Sequence, residues 1–190
     1  MTMADAPAHE SQDPVQRAAA LVSMFCPLAE KFGRWAAVDP AAVPEVPRRL
    51  LDHRSHMTVK MEGEHGCPLS LRVVAEQTSP TDGRYSREIL LTRPDGRIVQ
   101  YGIVRIDLAA VDVSTAEAIR SRSCPLGRIL VDAGLLCDVQ HVELLRVNPG
   151  PHLSELFGGT AETFGRVAKI DVGGRPAIEL LEIVAPESTG

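Results

Sequence analysis

The sequence has few aromatic side chains, no cluster of positive charge and no long apolar run. Phe, Trp and Tyr make up 4% of its 190 residues, which is too few for the stacking surfaces of single-strand nucleic-acid binders. The formal net charge of −5 also argues against nucleic acids and anionic membranes as partners. No run reaches the roughly 18 apolar residues of a membrane-spanning helix. We therefore expect a small-molecule partner, no nucleic acid and no membrane span.

Motifs for covalent, nucleotide-dependent or metal-dependent chemistry are also missing. The sequence contains no G-x-S-x-G elbow, no Walker loop and no dinucleotide fingerprint. His53, His56 and His65 lie near Cys67, but their spacing matches no standard set of metal ligands. The sequence thus predicts neither a metal nor a cofactor. Positioning and electrostatics would have to drive any reaction.

The cysteines are scattered and form no C-x-x-C pair, so they indicate neither a zinc site nor a redox motif. Reduced, packed thiols are the usual state of such residues. Residues 1–13 are polar and acidic, unlike a signal peptide. We expect a cytoplasmic protein, and the sequence makes no prediction of its oligomeric state.

Length and composition predict one domain over residues 1–190. A hydrophobic content of 44% over this length is enough for a sizeable core. We expect residues 1–12 to be disordered, and residues 13–49 to form a helix followed by a proline-rich connector. The core is expected over residues 50–186.

Strand-like and helix-like segments alternate within this core. Residues 57–108 read as strands, and a short turn at 94–96 requires antiparallel neighbours. Ser114 and Glu117 have the spacing of a capping box that opens a helix, and Pro125 introduces a second helix. A hairpin around the glycines at 173–174 closes the chain. The pattern predicts an α+β fold built on a single antiparallel β-sheet.

Charged residues interrupt two of the apolar strand faces. Because side chains alternate between the faces of a strand, Arg87 shares its face with aliphatic neighbours. In the last strand, Glu182 and Glu179 lie on opposite faces, each among aliphatic residues. A buried charge is costly without a partner or a ligand, so these residues are candidates for function. The alternation alone does not choose between the two glutamates.

Simpler explanations exist for the same residues. Arg87 and one of the glutamates could form a structural ion pair, or they could lie at a solvated sheet edge. Gly102 falls on a core-facing position of the middle strand, where a glycine leaves room for a ligand or marks a bulge. These alternatives stay open at the level of the sequence.

Several blocks in order resemble the chorismate pyruvate-lyase family. They lie at 50–58, at 85–91 (Tyr-Ser-Arg-Glu-Ile-Leu-Leu), at 95–96, at 124–128 (Cys-Pro-Leu-Gly-Arg) and at 174–182. The resemblance covers about residues 50–186. It implies a single antiparallel sheet with helices packed on one side, and a ligand enclosed beneath helical segments. It also implies a cofactor-independent lyase that converts chorismate to 4-hydroxybenzoate and pyruvate, commonly for ubiquinone synthesis.

The resemblance implies roles for five positions. Arg87 would bind the carboxylate of the product and Glu182 its 4-hydroxyl, as the catalytic pair. Met57, Gly102 and Leu126 would complete the pocket for substrate and product. Two departures from the family pattern bear on these roles. The segment before Glu182 is one residue longer than expected, which leaves Glu179 as a substitute, and Gly102 is not followed by the second arginine that the family tends to have there.

Two other functions fit the same sequence. One is a non-catalytic module that binds an aromatic acid, because the same fold serves as the effector-binding part of some bacterial regulators. The other is an enzyme that converts chorismate to a different aromatic acid. A pocket matched to an aromatic product also predicts strong product inhibition.

Overall fold

The computed structural model of the protein describes residues 13–186. The expectation of disorder for residues 1–12 concerns residues outside this range. The strands within it are β1 (Gly33–Ala37), β2 (Ser70–Thr78), β3 (Tyr85–Thr92), β4 (Ile98–Ile106), β5 (Cys137–Pro149), β6 (Thr163–Val172) and β7 (Arg175–Val184). The α-helices are α1 (Pro14–Val22), α2 (Ala29–Phe32), α3 (Glu45–Leu51), α4 (Met57–His65), α5 (Val113–Arg120), α6 (Leu126–Asp132) and α7 (Pro151–Phe157).

The strands form one sheet in the order β1-β5-β6-β7-β4-β3-β2. Each neighbouring pair is antiparallel. Tight turns explain two of these pairings. Gly96 has a φ of +84° in the turn between β3 and β4, and Gly173 and Gly174 have φ values of +58° and +78° between β6 and β7. Such left-handed residues suit the twist of a two-strand hairpin. The predicted α+β class and single antiparallel sheet are confirmed.

Four segments differ from the sequence expectation. Residues 57–65, expected as a strand, form α4, because Met57 and Met61 lie one helical turn apart and are both buried. Helix α5 begins earlier than expected: Asp112, and not Ser114, caps it by accepting a hydrogen bond of 2.9 Å from the Thr115 amide. Strands β1 and β5 pair with each other and were not predicted.

Helices cover both faces of the sheet, whereas the resemblance implied one. On the first face, α1 and α7 bury Leu21 and Leu153 against the central strands. On the second face, α5 and α6 bury Ile119 and Leu130, and α3 and α4 add a further apolar cluster. The reason lies in β3, β4 and β7, whose apolar residues point to both sides and therefore need cover on both. The N-terminal helix thus contributes to the core.

In the second layer, α4 and α6 meet above the sheet. A Cβ atom at Gly127, in the first turn of α6, would lie 3.3 Å from the Cβ atom of His56, which precedes α4. The Arg128 guanidinium donates to the Glu62 carboxylate at 2.6 Å and links the same two helices. The two helices therefore form a continuous cover over part of the second face. Within residues 13–186, no helix is long and apolar enough to cross a membrane.

Candidate functional site

A cavity lies between the second face of the sheet and the cover formed by α4 and α6. About 600 Å³ between the sheet and this cover is not filled by protein atoms, its open mouth included. Most of its wall is aliphatic, with Ile89, Val104 and Leu180 among the lining residues. The charged residues that line it are Arg87, Arg166 and Glu182. An apolar cavity with a few charged groups is typical of a site for a small acid.

Arg87 is a buried cation at one end of this cavity. Arg87 is 1% exposed. It lies on the aliphatic face of β3, as the alternation of side chains along the strand predicts. Its Nη1 donates to the Ile119 carbonyl at 3.2 Å, while its Nε is buried without a hydrogen-bond partner in residues 13–186. Burial lowers the pKa of the guanidinium, but arginine keeps its charge throughout the physiological range. An anionic ligand would stabilise such a buried cation.

Glu182 lies at the other end and forms an ion pair with Arg166. The two residues are opposite each other in the β6–β7 register, and Arg166 Nε donates to Glu182 Oε2 at 2.7 Å. Arg166 Nη1 also donates to the carbonyls of Leu51 at 3.2 Å and of His53 at 2.8 Å. Glu182 is 8% exposed and Arg166 2%. The carboxylate thereby has a fixed cation beside it at the cavity wall.

The sequence did not point to Arg166. The strand prediction began at residue 167, whereas β6 begins at Thr163, so the rule of alternating faces was not applied to residue 166. Extending that strand by one residue would have placed Arg166 on the same face as Ala168 and Ile170, both buried. The second arginine that the family pattern has after its glycine is absent here, and Arg166 supplies a second cation from a different strand.

Glu179 lies on the opposite face of the sheet and does not line the cavity. Its carboxylate accepts a hydrogen bond of 2.5 Å from Arg105, its partner in the β4–β7 register. Arg87 forms a salt bridge with neither glutamate in the described part of the chain. Within residues 13–186, Arg87 therefore does not form the structural ion pair with a glutamate that the sequence left open.

The other predicted site residues lie around the same cavity. Met57 and Leu126 line it as the first residues of α4 and α6. Gly102 lies directly between Ile89 and Glu182 in the sheet register. A Cβ atom at Gly102 would lie 3.2 Å from Cγ1 of Ile89, so the glycine leaves room for a side chain of the wall. Gly102 is not itself among the residues that line the cavity, and it lies beside Ile89 in the sheet.

The sheet register sets the distance between the two ends. Arg87 is opposite Val104, Val104 is opposite Leu180, and Glu182 lies two residues beyond Leu180 on β7. With ideal strand spacing and rise, the Cα atoms of Arg87 and Glu182 are separated by about 12 Å. Both residues line the cavity, which therefore has a cation and an ion-paired carboxylate on its wall.

The histidines near Cys67 do not assemble into a metal site. His53 lies beside Arg166, His56 lines the cavity, and His65 is at the end of α4. Among residues 13–186, no three His, Cys, Asp or Glu side chains come together in a way that could hold a metal ion.

Comparison with known proteins gives structural neighbours only. No family model and no curated protein matches the chain. A GntR-family transcriptional regulator from Enterococcus faecalis V583 is 13% identical, with 61% of this chain and 93% of that chain covered and a TM-score of 0.45. The ligand-binding domain of a protein assigned to that family, from Bordetella bronchiseptica, is 13% identical, with 64% and 92% covered and a TM-score of 0.46.

A third neighbour is the C-terminal domain of the histidine utilization repressor from Pseudomonas syringae pv. tomato str. DC3000. It is 11% identical, with 64% of this chain and 96% of that chain covered and a TM-score of 0.37. At such identities the likeness concerns the fold and brings no residue role with it.

Proposed function

We propose that the cavity binds a cyclic carboxylic acid and that the protein is a chorismate pyruvate-lyase, which releases 4-hydroxybenzoate and pyruvate. The observation that carries the proposal is Arg87, a buried guanidinium that faces the cavity without a carboxylate partner in residues 13–186. The sequence blocks that resemble the lyase family supply the choice of acid. All four cysteines are free, which suits action in a reducing compartment such as the cytoplasm.

Arg87 and Glu182 would hold the two ends of the ring. A guanidinium offers paired donors to a planar carboxylate, so Arg87 would bind the ring carboxylate. Glu182, oriented by its hydrogen bond from Arg166, would accept a hydrogen bond from the 4-hydroxyl. Met57 and Leu126 would cover the ring and exclude water, which strengthens both polar contacts. The ring would then have one orientation in the cavity.

That orientation is what the reaction needs. The ether bond between ring carbon 3 and the enolpyruvyl oxygen breaks, and the hydrogen on ring carbon 4 moves to the enolpyruvyl methylene. The oxygen becomes the ketone of pyruvate, the methylene becomes its methyl group, and the ring becomes aromatic. The protein would hold the hydrogen and its acceptor in a near-attack geometry. The aromatic acid would serve as a precursor of ubiquinone or of another phenolic product.

A non-catalytic binding module is the second candidate. The observation in its favour is that Glu182, the carboxylate at the cavity wall, already forms an ion pair with Arg166. This arrangement can accept a hydrogen bond from a ligand hydroxyl without any proton transfer, so binding alone would be enough to account for it. Such a module would bind 4-hydroxybenzoate or a related acid without converting chorismate.

The test is incubation of the purified protein with chorismate, with separate detection of pyruvate and of the aromatic product. We expect both in equal amounts, with 4-hydroxybenzoate inhibiting further turnover. Arg87→Ala should lose at least about 100-fold in turnover, the usual cost of a preorganised electrostatic contact. Arg105→Ala, which removes an arginine from the opposite face, is the matched control and should leave turnover unchanged.

Each other outcome has a defined meaning. Binding of 4-hydroxybenzoate without release of pyruvate would establish the binding module. Pyruvate with a different aromatic acid would establish a related chorismate-converting enzyme. Near-normal pyruvate release by Arg87→Ala would exclude Arg87 as the carboxylate-binding residue.

A further inference from the structure

Arg166 connects two neighbouring strands of the sheet to the helical cover of the cavity. Arg166 lies on β6, in the sheet that forms the floor of the cavity. Its Nε donates a hydrogen bond to the carboxylate of Glu182 on β7. Its Nη1 donates to the carbonyls of Leu51, at the end of α3, and of His53, between α3 and α4. We call residues 52–56 the α3–α4 connector. We propose that Arg166 is a positioning residue that orients Glu182 for the ligand and fastens the α3–α4 connector over the cavity. This inference rests on the proposed function.

The connector is part of the cavity cover. Ser55 and His56 line the cavity, as does Met57, which follows them in α4. Within residues 13–186, the hydrogen bonds between the connector and the sheet all come from Arg166, at 2.8 Å to the His53 carbonyl and at 3.4 Å to His53 Nδ1. The position of this part of the cover therefore depends on one side chain of the floor.

The hydrogen bonds of Arg166 couple the cover to the ligand contact. The same planar guanidinium binds the Glu182 carboxylate and the two carbonyls, and its geometry fixes their relative positions. A ligand hydroxyl that donates a hydrogen bond to Glu182 would join the same hydrogen-bond network. The position of the connector and the orientation of Glu182 thus both depend on the hydrogen bonds of Arg166. Loss of Arg166 would weaken both.

Lysine at this position separates the two effects. Arg166→Lys keeps a positive charge beside Glu182, but an ammonium group lacks the rigid fork that reaches several acceptors at once. Arg166→Gln removes the charge as well. Arg105→Gln is the matched control, because Arg105 is also the cross-strand partner of a β7 glutamate, on the face away from the cavity.

The experiment measures binding of 4-hydroxybenzoate by calorimetry and hydrogen exchange of the amides at 52–56. In Arg166→Gln we expect affinity to fall about 10- to 100-fold, the size of a lost charge-assisted hydrogen bond in a binding site. Arg105→Gln should stay within about twofold of the wild type.

Hydrogen exchange tests the connector independently of the ligand. Both Arg166 variants should exchange faster at residues 52–56 in the free protein, while Arg166→Lys, which keeps a cation beside Glu182, should retain more of the ligand affinity than Arg166→Gln. Wild-type exchange at the connector in both variants, or wild-type affinity in Arg166→Gln, would overturn the inference. Should Arg166→Gln fail to fold, Arg166→Lys alone decides through its connector exchange. A wild-type protein that binds no 4-hydroxybenzoate would instead refute the proposed function, and the exchange of the free variants would still report on the connector.

Discussion

Two arginine–glutamate pairs on β7 resemble each other in geometry and differ in their surroundings. Glu182 pairs with Arg166 across β6, and Glu179 pairs with Arg105 across β4, at 2.7 and 2.5 Å respectively. The side chains of the first pair are 11% and 2% exposed, and those of the second are both 31% exposed. The difference arises because α4 and α6 cover the first pair, while no helix encloses the second to the same extent.

Burial gives the two pairs different energetic roles. An exposed ion pair contributes about 0–1 kcal/mol, because water screens both charges and holding the side chains costs entropy. A buried pair adds little net stability compared with apolar residues, but removal of one partner leaves an unpaired buried charge. The pair in the cavity therefore holds a carboxylate in place where a ligand can reach it. The pair on the opposite face is partly exposed to solvent.

The largest expected effect separates these roles directly. Glu182→Ala leaves Arg166 as a buried cation without its carboxylate, so the free energy of unfolding should fall by about 3–5 kcal/mol. Glu179→Ala should cost less than about 1 kcal/mol. Urea denaturation of both variants at pH 7 measures this, and calorimetry with 4-hydroxybenzoate measures ligand affinity. Only Glu182→Ala should weaken binding.

The double variant Arg166→Met/Glu182→Leu provides the control. It removes both buried charges together, so much of the lost stability should return while ligand binding does not. Equal losses of stability in the two single variants would contradict the comparison. Weaker binding in Glu179→Ala alone would assign the hydroxyl contact to the other face.

The sequence predicted part of this site. Because side chains alternate along a strand, it placed Arg87 on an aliphatic face of β3, and the structure confirms this position. It did not distinguish Glu182 from Glu179, since β7 is a central strand with apolar residues on both faces. Alternation identifies opposite faces but not which face has a cavity above it. That depends on helices far away in the sequence.

The features that sequence reasoning missed are those that depend on long-range contacts. The bonds of Arg166 end on carbonyls near residue 52, and carbonyl acceptors leave no mark in a sequence. Strand β5 was not predicted, and its register with β6 shifts between Gln140 and Glu143, which interrupts a regular alternation. Helix α4 was expected as a strand because its start was joined to the strand region that follows. Tertiary packing decided each of these cases.

Gly102 offers a smaller test of the same side of the sheet. In Gly102→Ala, the new methyl group would lie 3.2–3.3 Å from the end of the Ile89 side chain, which then has to move toward the cavity. Overpacking of this kind costs about 1–3 kcal/mol. We expect 4-hydroxybenzoate affinity to fall about tenfold, with folding retained.

Shortening the neighbouring side chain is the control for this prediction. In Gly102→Ala/Ile89→Val, Cδ1 is removed and the remaining Cγ1 is a terminal methyl group that can move more easily, so part of the affinity should return. Gly165→Ala is not a suitable comparison, because a Cβ atom there would lie 2.7 Å from the Glu182 carbonyl oxygen and disturb the backbone. Unchanged affinity in Gly102→Ala would show that Ile89 can move without narrowing the ligand space.

The smallest expected effect concerns His53, which lies beside Arg166 and has no counterpart at the exposed pair. Burial, and then the positive charge of Arg166, lower the pKa of His53 from 6.5 to about 4. Its Nδ1 accepts a hydrogen bond of 3.1 Å from the Ser55 amide, so a proton on that atom would lose this contact. The folded protein therefore disfavours the charged ring.

This preference makes stability depend on pH in a defined direction. Above about pH 6.5 the ring is neutral in both the folded and the unfolded chain, and the stability is complete. As the pH falls from 6.5 to about 4, the unfolded chain binds a proton that the folded protein does not, so the free energy of unfolding decreases. Since the ring is only partly buried, solvent screening reduces the loss to about 1 kcal/mol. In His53→Gln this part of the loss should disappear.

Urea denaturation of the wild type and of His53→Gln, each at pH 7 and pH 4.5, isolates this contribution. Carboxylates also titrate in this range, but they do so in both proteins and cancel when the two pH-dependent changes are subtracted. The wild type should lose about 1 kcal/mol more than the variant. Equal losses would mean that the ring is solvated in the folded protein. In that case the charge of Arg166 would act on Glu182 but not on His53 in the connector. The Arg166–Glu182 pair would then resemble the Arg105–Glu179 pair more closely than its burial implies.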